Sequence, residues 1–211
     1  MTALSHIAAI IPVNTLDGAK SRLGETLDAE ERRDLVEGLL ARTVDAALAV
    51  LADGRLGDVV VISPDREVLA RAAAAGARTL RQQTSGLNVG LVEARDDVAA
   101  GGADALLVLP IDLPFISADA VRAVIDAVEA SPAGVVLVTD RHGTGTNALA
   151  LRPPDVIGFA FGPGSRDAHR AAAAAAGATY LELESPLAVD LDTPDDLVYV
   201  ESTAPERLGV G

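Results

Sequence analysis

Four stretches of this chain, "IAAIIPV" (7–13), "GDVVVIS" (57–63), "ADALLVLPID" (103–112) and "GVVLVTD" (134–140), are apolar over long runs rather than at every second position. A strand with one wet face alternates apolar and polar residues, so such runs predict strands buried on both faces. Between them lie longer segments of helical period, "DAEERRDLVEGLLARTVDAALAVL", "DREVLARAAAAG" and "SADAVRAVIDAVEA". Strand and helix in alternation predict a mostly parallel sheet with helices on both sides, a three-layer α/β/α fold. Helix limits are written in the side chains: Asp28 with Glu31 forms a capping-box pattern, Ser117 opens a later helix, and Gly76 and Gly177 close two Ala-rich ones. No linker or composition break divides residues 1–211, which predicts a single domain.

Charge narrows what such a fold binds. A formal net charge of −14 repels polyanions, and 2% aromatic content leaves little for base stacking, so a nucleic-acid partner is excluded. No run approaches the roughly 20 apolar residues of a membrane helix, which excludes a membrane partner. The start, "MTALSHIAAIIPVN", lacks a basic segment before its apolar run, which therefore reads as a first strand. The absence of cysteine rules out disulfides and thiolate chemistry and suits a cytoplasmic location. An anionic small ligand would need cations, or a divalent metal, concentrated in one pocket.

Ligands meet an open parallel sheet beyond the carboxyl ends of its strands, so the residues just past each strand are the candidates. "PVNTLDGAKSRLG" (12–24) sets Lys20 and Arg22 two apart, in a chain with only 17 Lys and Arg. It contains neither the dinucleotide fingerprint nor the P-loop. A cation pair facing phosphates and solvated charge on a surface loop both account for it. "LPIDLP" ends an apolar run in Asp112, a carboxylate that must be solvated, hydrogen-bonded or on a cation. An ordinary turn aspartate satisfies that requirement as well as a metal ligand does.

In "LAVDLDTPDDL" (187–197), extended backbone would put Asp190 and Asp192 on one side with Leu191 on the other. Like charges side by side repel unless a cation joins them, and Mg²⁺ prefers one or two carboxylates completed by phosphates and water. Capping of the next helix would explain Asp192 but not Asp190. "FGPGS" (161–165) runs into a strong helix that Ser165 is expected to cap, its N–H groups facing any anion. A plain helix start accounts for it too. Thr144, Thr146 and Asn147 supply neutral donors and acceptors upstream, and Asn88, in "QQTSGLNVGLVEA" (82–94), either meets a base or ribose or serves a turn.

Three acids, two cations and an anion-receptive helix start describe a site for a metal-bound nucleotide and a second phosphorylated ligand. Nucleotidyl transfer relies on positioning and charge neutralisation, and a phosphate nucleophile is already ionised near neutral pH. No general base is then required, in keeping with a chain that has three His and no Cys.

The motifs "IPVNTLDGAKSRL", "SGLN", "LPIDLP", "GTGTNAL", "FGPGS" and "VDLDTPDDL" occur here in one order. In that order the chain resembles, over essentially its whole length, the guanylyltransferases of deazaflavin-coenzyme (F-420) biosynthesis. These are similar to the wider GT-A-like nucleotidyltransferases, whose Gly-rich first loop is replaced here by "AKSRL". The resemblance implies transfer of GMP from GTP to the phosphate of a three-carbon acid, with release of pyrophosphate. Family acceptors are phosphoenolpyruvate, 2-phospho-L-lactate and 3-phosphoglycerate; the first is expected here, from an Ala-rich composition like that of bacterial members.

The same resemblance implies Mg²⁺ on Asp112, Asp190 and Asp192, and the acceptor's phosphate and carboxylate near Thr146, Gly162 and Ser165. Lys20 and Arg22 are expected on the triphosphate, acting with Asp112 in catalysis, and Asn88 on the nucleoside. The expected partners are GTP and the acid, with a homodimer compatible. Competing readings are a guanylyltransferase for another acceptor, such as 3-phosphoglycerate or the molybdenum cofactor, and a catalytically silent nucleotide-binding module. The molybdenum-cofactor enzymes carry a Gly-rich first loop that is absent here, and a silent module need not keep all three acids.

Overall fold

The apolar runs form the middle of one seven-stranded sheet. In this computed structural model, which describes residues 6–16, 23–130 and 134–208, the strands are β1 (Ile7–Pro12), β2 (Asp58–Ser63), β3 (Arg78–Arg81), β4 (Ala105–Val108), β5 (Gly134–Thr139), β6 (Thr146–Arg152) and β7 (Thr179–Glu182). The helices are α1 (Ala29–Ala52), α2 (Arg66–Ala75), α3 (Leu87–Ala100), α4 (Ala118–Ala130), α5 (Ser165–Ala176) and α6 (Pro194–Thr203). The strand order is β3-β2-β1-β4-β6-β5-β7. Every neighbouring pair is parallel except those of β6, which runs antiparallel to β4 and β5.

Alternate residues of each strand go to opposite layers, which is why the runs are apolar throughout. Ala9, Ile11, Val59, Val61, Leu107 and Val136 pack with residues of α1, α2 and α4. Their neighbours Ala8, Ile10, Val60, Ile62, Leu106 and Val135 pack with residues of α3 and α5 on the other face. Burying each Val, Leu or Ile contributes about 1.5–3 kcal/mol, so the two layers together fix the register of the sheet. The three-layer α/β/α arrangement is the one the alternation predicts.

The caps also agree with the sequence. Asp28 accepts from the N–H groups of Glu30 and Glu31 at 2.8 and 2.9 Å, and Glu31 accepts from the Asp28 N–H at 2.8 Å. Such a cap contributes about 1 kcal/mol to the helix it starts. Ser117 Oγ accepts from Ala120 N–H at 3.2 Å, and Gly76 and Gly177 end α2 and α5 in the left-handed region.

β3, β6 and β7 are strands that the hydrophobic pattern did not single out. Of these, β6 has the greatest effect on the ligand edge. Six strands bring their carboxyl ends to one edge of the sheet, whereas the reversed β6 brings its first residues, Thr146 and Asn147, to that same edge. Strand order reverses between β1 and β4, and a cleft at their carboxyl ends is the expected ligand site. Among the described residues no helix is long and apolar enough to cross a membrane.

Candidate functional site

At that edge β4 gives way to the segment that carries Asp112. Leu109 N–H still donates to the Ile10 carbonyl at 2.9 Å, so the chain leaves the sheet just before "PID". The carbonyl of Asp112 then accepts from Leu191 N–H at 2.9 Å, which draws the distant 189–192 segment alongside. Leu191 is fully buried in a cluster with Leu35, Leu39, Leu197 and Val200, while Asp190 and Asp192 stay partly exposed. The alternation read from "VDLD" is therefore real, although the segment belongs to no strand.

Asp190 is held by the buried Asn147 at the start of β6, whose amide nitrogen donates to Asp190 Oδ1 at 3.4 Å and to the Leu187 carbonyl at 3.0 Å. Burial, then the nearby Asp112 carboxylate and more weakly that of Asp192, push Asp190 above the usual carboxylate range. The three acids thus share one field. Among the described residues no group of three or more His, Asp or Glu is placed to hold a metal ion. A cation completed by phosphate oxygens and water, as Mg²⁺ usually is, needs only one or two carboxylates from the protein. An all-oxygen donor set whose charges repel until a cation joins them fits such an ion.

Asp192 does not cap α6. Thr193 does, with its hydroxyl accepting from Asp196 N–H at 3.3 Å. The nearly buried Asp196 in turn accepts from Asp192 N–H at 3.1 Å and from Thr193 N–H and Oγ1 at 2.8 Å, while Arg141 reaches its other oxygen at 2.5 Å. Burial alone would raise the Asp196 pKa, but the Thr193 and Asp192 donors and Arg141 hold it below the usual range. Arg141 also lies over the Tyr199 ring, 5.1 Å from its centroid. Asn147, Asp196 and Arg141 order the acid segment, and sequence reasoning gave none of them that task. The T-x-x-D spacing from Thr193 to Asp196, a capping-box pattern, was the available signal.

On the other side of β6, Thr146 is mostly buried, and its Oγ1 lies 3.1 Å from Nδ1 of the fully buried His169 on α5. Ahead of α5, Gly162 has φ +131° and Gly164 φ +72°, values that L side chains rarely adopt. Ser165 is not the cap that "FGPGS" suggested. It is the first residue of α5, with Gly164 as N-cap and no side-chain cap bond, and the Ser165 and Arg166 N–H groups donate to the carbonyls of Gly162 and Thr144 at 3.1 and 3.3 Å. The β6 start and the α5 start are tied together by Arg166 N–H, which donates to the Thr144 carbonyl at 3.3 Å, with Thr146 on the first and Gly162 and Ser165 at the second. Asp140 orders the loop before β6, its Oδ1 accepting from Thr144 N–H at 2.7 Å.

Asn88 has a different place from the one its sequence context suggested. Its amide nitrogen donates to the Phe161 carbonyl at 2.9 Å and its oxygen accepts from Phe161 N–H at 2.8 Å. The side chain clasps the backbone leading to Gly162.

The polar loop before it does line a cavity. A space of about 520 Å³ is bounded by Pro12, Val13 and Asn14 after β1, by Pro64, and by residues 81–87. Its wall is braced from behind: Glu93 accepts from Gln83 N–H at 2.8 Å and Thr84 N–H at 2.9 Å, and Gln82 donates to the Gly86 carbonyl at 2.9 Å. Among the described residues the lining offers neutral amides and hydroxyls, one arginine, Arg81, and no carboxylate. Lys20 and Arg22 lie outside the described residues.

Known proteins resemble this chain in sequence and in fold. The family described as "Guanylyl transferase CofC like" matches residues 7–201. A phosphoenolpyruvate guanylyltransferase of Sphaerobacter thermophilus is 46% identical over 199 residues, 93% of each chain. Another, from Rubrobacter xylanophilus, is 43% identical over 198 residues, covering 93% of this chain and 94% of that one. In fold, the chain is similar to a putative nucleotide-diphospho-sugar transferase from Desulfovibrio desulfuricans G20, with a TM-score of 0.70 at 18% identity over 97% of this chain and 91% of that one. The sheet and its helices have the GT-A-like architecture of nucleotidyl and glycosyl transferases.

Proposed function

The chain belongs to the family of CofC-like guanylyl transferases, and from that premise we propose that it transfers GMP from GTP to the phosphate of phosphoenolpyruvate, releasing pyrophosphate. The reaction would serve deazaflavin-coenzyme (F-420) biosynthesis in the cytoplasm. One observation carries the reading. A single sheet edge sets Asp190, whose charge Asp112 and Asp192 oppose, beside the reversed start of β6, where Thr146 meets His169 of α5. Negative charge is gathered for a cation on one side, and neutral donors for an anion on the other.

The step needs little covalent help from the protein. An oxygen of the acceptor phosphate attacks the α-phosphorus of GTP; the bond from that phosphorus to the α,β-bridging oxygen breaks, and pyrophosphate departs with the electron pair. The nucleophile is already ionised, so no proton has to move in the attack. Mg²⁺, which Asp112, Asp190 and Asp192 would hold, neutralises charge on the triphosphate when bound. The cavity of about 520 Å³ behind residues 82–87 takes the guanosine, where neutral amides and hydroxyls match a base with both donors and acceptors. Thr146, the backbone at Gly162 and the Ser165 hydroxyl at the positive end of α5 receive the acceptor's anionic oxygens. Lys20 and Arg22 would supply positive charge to the triphosphate.

Incubation with GTP, Mg²⁺ and each of phosphoenolpyruvate, 2-phospho-L-lactate and 3-phosphoglycerate in turn, with pyrophosphate measured, tests the reading. Release with phosphoenolpyruvate alone, or fastest with it, is the expected result. GTP binding without pyrophosphate in all three mixtures would leave a nucleotide-binding module instead.

A further inference from the structure

His169 is fully buried on α5, with the Phe161 ring edge-on at 5.3 Å between centroids and an angle of 72°. Its two nitrogens have different partners. Nε2 accepts from the backbone N–H of Ala160 at 3.0 Å, and Nδ1 lies 3.1 Å from Thr146 Oγ1. A nitrogen that accepts from an N–H cannot itself carry a proton, and a neutral imidazole carries only one. The proton therefore sits on Nδ1 and is donated to Thr146 Oγ1. The hydroxyl proton of Thr146 is then turned away from the ring.

We propose that His169 is a positioning residue for the acceptor: by donating through Nδ1 it makes Thr146 present its hydroxyl proton to an anionic oxygen of the bound phosphate acid. With the opposite tautomer the Thr146 proton would be spent on the ring, and its oxygen lone pairs would repel that anion. The same ring also fixes Ala160, one residue before the backbone that Asn88 clasps and two before Gly162. One buried side chain thus bears on two contacts of the acceptor pocket, Thr146 and the backbone leading to Gly162. The inference rests on the reading of Thr146 as an acceptor contact and adds how that contact is polarised.

Protein labelled with ¹⁵N-histidine gives the first test. The imidazole shifts of His169 in folded, ligand-free protein near pH 7 should report a protonated Nδ1 and a bare Nε2; a proton on Nε2 would overturn the proposal and leave the acceptor pocket itself untouched. Kinetics give the second. His169→Asn can place an amide N–H near the Nδ1 position, whereas His169→Phe cannot donate. His169→Phe is expected to raise the KM for phosphoenolpyruvate about tenfold or more, with the KM for GTP within about twofold and partial recovery in His169→Asn. An equal rise of both KM values, or no recovery in a folded His169→Asn protein, speaks against the role. Thr146→Val with an unchanged acceptor KM would remove the underlying reading of Thr146, and this proposal with it.

Discussion

The backbone N–H of Leu191 donates to the carbonyl of Asp112 at 2.9 Å, and this bond joins the two segments that carry the three candidate metal acids. Leu191, fully buried between Asp190 and Asp192, is the anchor that holds both beside the end of β4. Gathering like charges costs free energy, which is registered in the upward push on Asp190 from Asp112 and Asp192.

Asp112→Asn removes one of those charges at nearly constant volume. Pyrophosphate release is expected to fall by at least about 100-fold. The thermal midpoint in Mg²⁺-free buffer should hold or rise, because Asp190 loses a repelling neighbour. Full activity in the variant would end the metal role, and a sharply lowered midpoint would make Asp112 a structural residue.

Asp196 has the opposite character, since its charge is met from every side. Asp196→Ala leaves the N–H groups of Asp192 and Thr193 without their acceptor and Arg141 without its carboxylate. A loss of about 3 kcal/mol in urea unfolding is expected, with pyrophosphate release falling as well because Asp192 is no longer held. A stability change below about 1 kcal/mol would show that the Arg141 and Thr193 contacts are replaced by water at little cost.

His169 gives stability a pH dependence whose sign is fixed. Burial pushes its pKa down to about 4 from an ordinary 6.5. Between those values the unfolded chain binds the extra proton, so stability falls as pH drops through the window and is fully present only above about 6.5. Relative to His169→Asn, which does not titrate, the wild-type protein should lose on the order of 2 kcal/mol between pH 7 and pH 4.5. Parallel pH curves for the two proteins would mean that the ring is not buried in its neutral form.

Asn88→Ala separates the two roles open to that residue. The clasp on Phe161 predicts a higher KM for the acceptor with the KM for GTP little changed, and a stability loss of about 1–2 kcal/mol. A change confined to the GTP KM would return Asn88 to the nucleoside.

Much of this was legible in the chain itself. Layering can be read from the unbroken runs, and the shared side of Asp190 and Asp192 from the period-2 rule, which needs only extended backbone. Other features depend on partners that local pattern does not name. Nothing in "TNALALR" states that β6 runs backwards, yet that direction is what brings Thr146 and Asn147 to the ligand edge. The amide of Asn88 offers the same donor and acceptor to a base as to the Phe161 backbone, and only folding chose between them. Ser165 looked like a cap because Ser favours that position, but the left-handed Gly164 took it. His169 sits among alanines in "RDAHRAAAAAA", and its two partners lie on other segments.

The reversal of β6 also divides the cleft mechanically. Thr146 pairs with Thr139 across an irregularity that leaves Asn147 outside the ladder, and from Ala148 on the strand is registered against β5 and, further along, β4, so the acceptor wall is tied to the sheet. The opposite wall, residues 82–86, hangs from α3 through the side chains of Gln82 and Glu93. The two walls of the cleft therefore hang from different supports, the sheet on one side and chiefly a helix on the other.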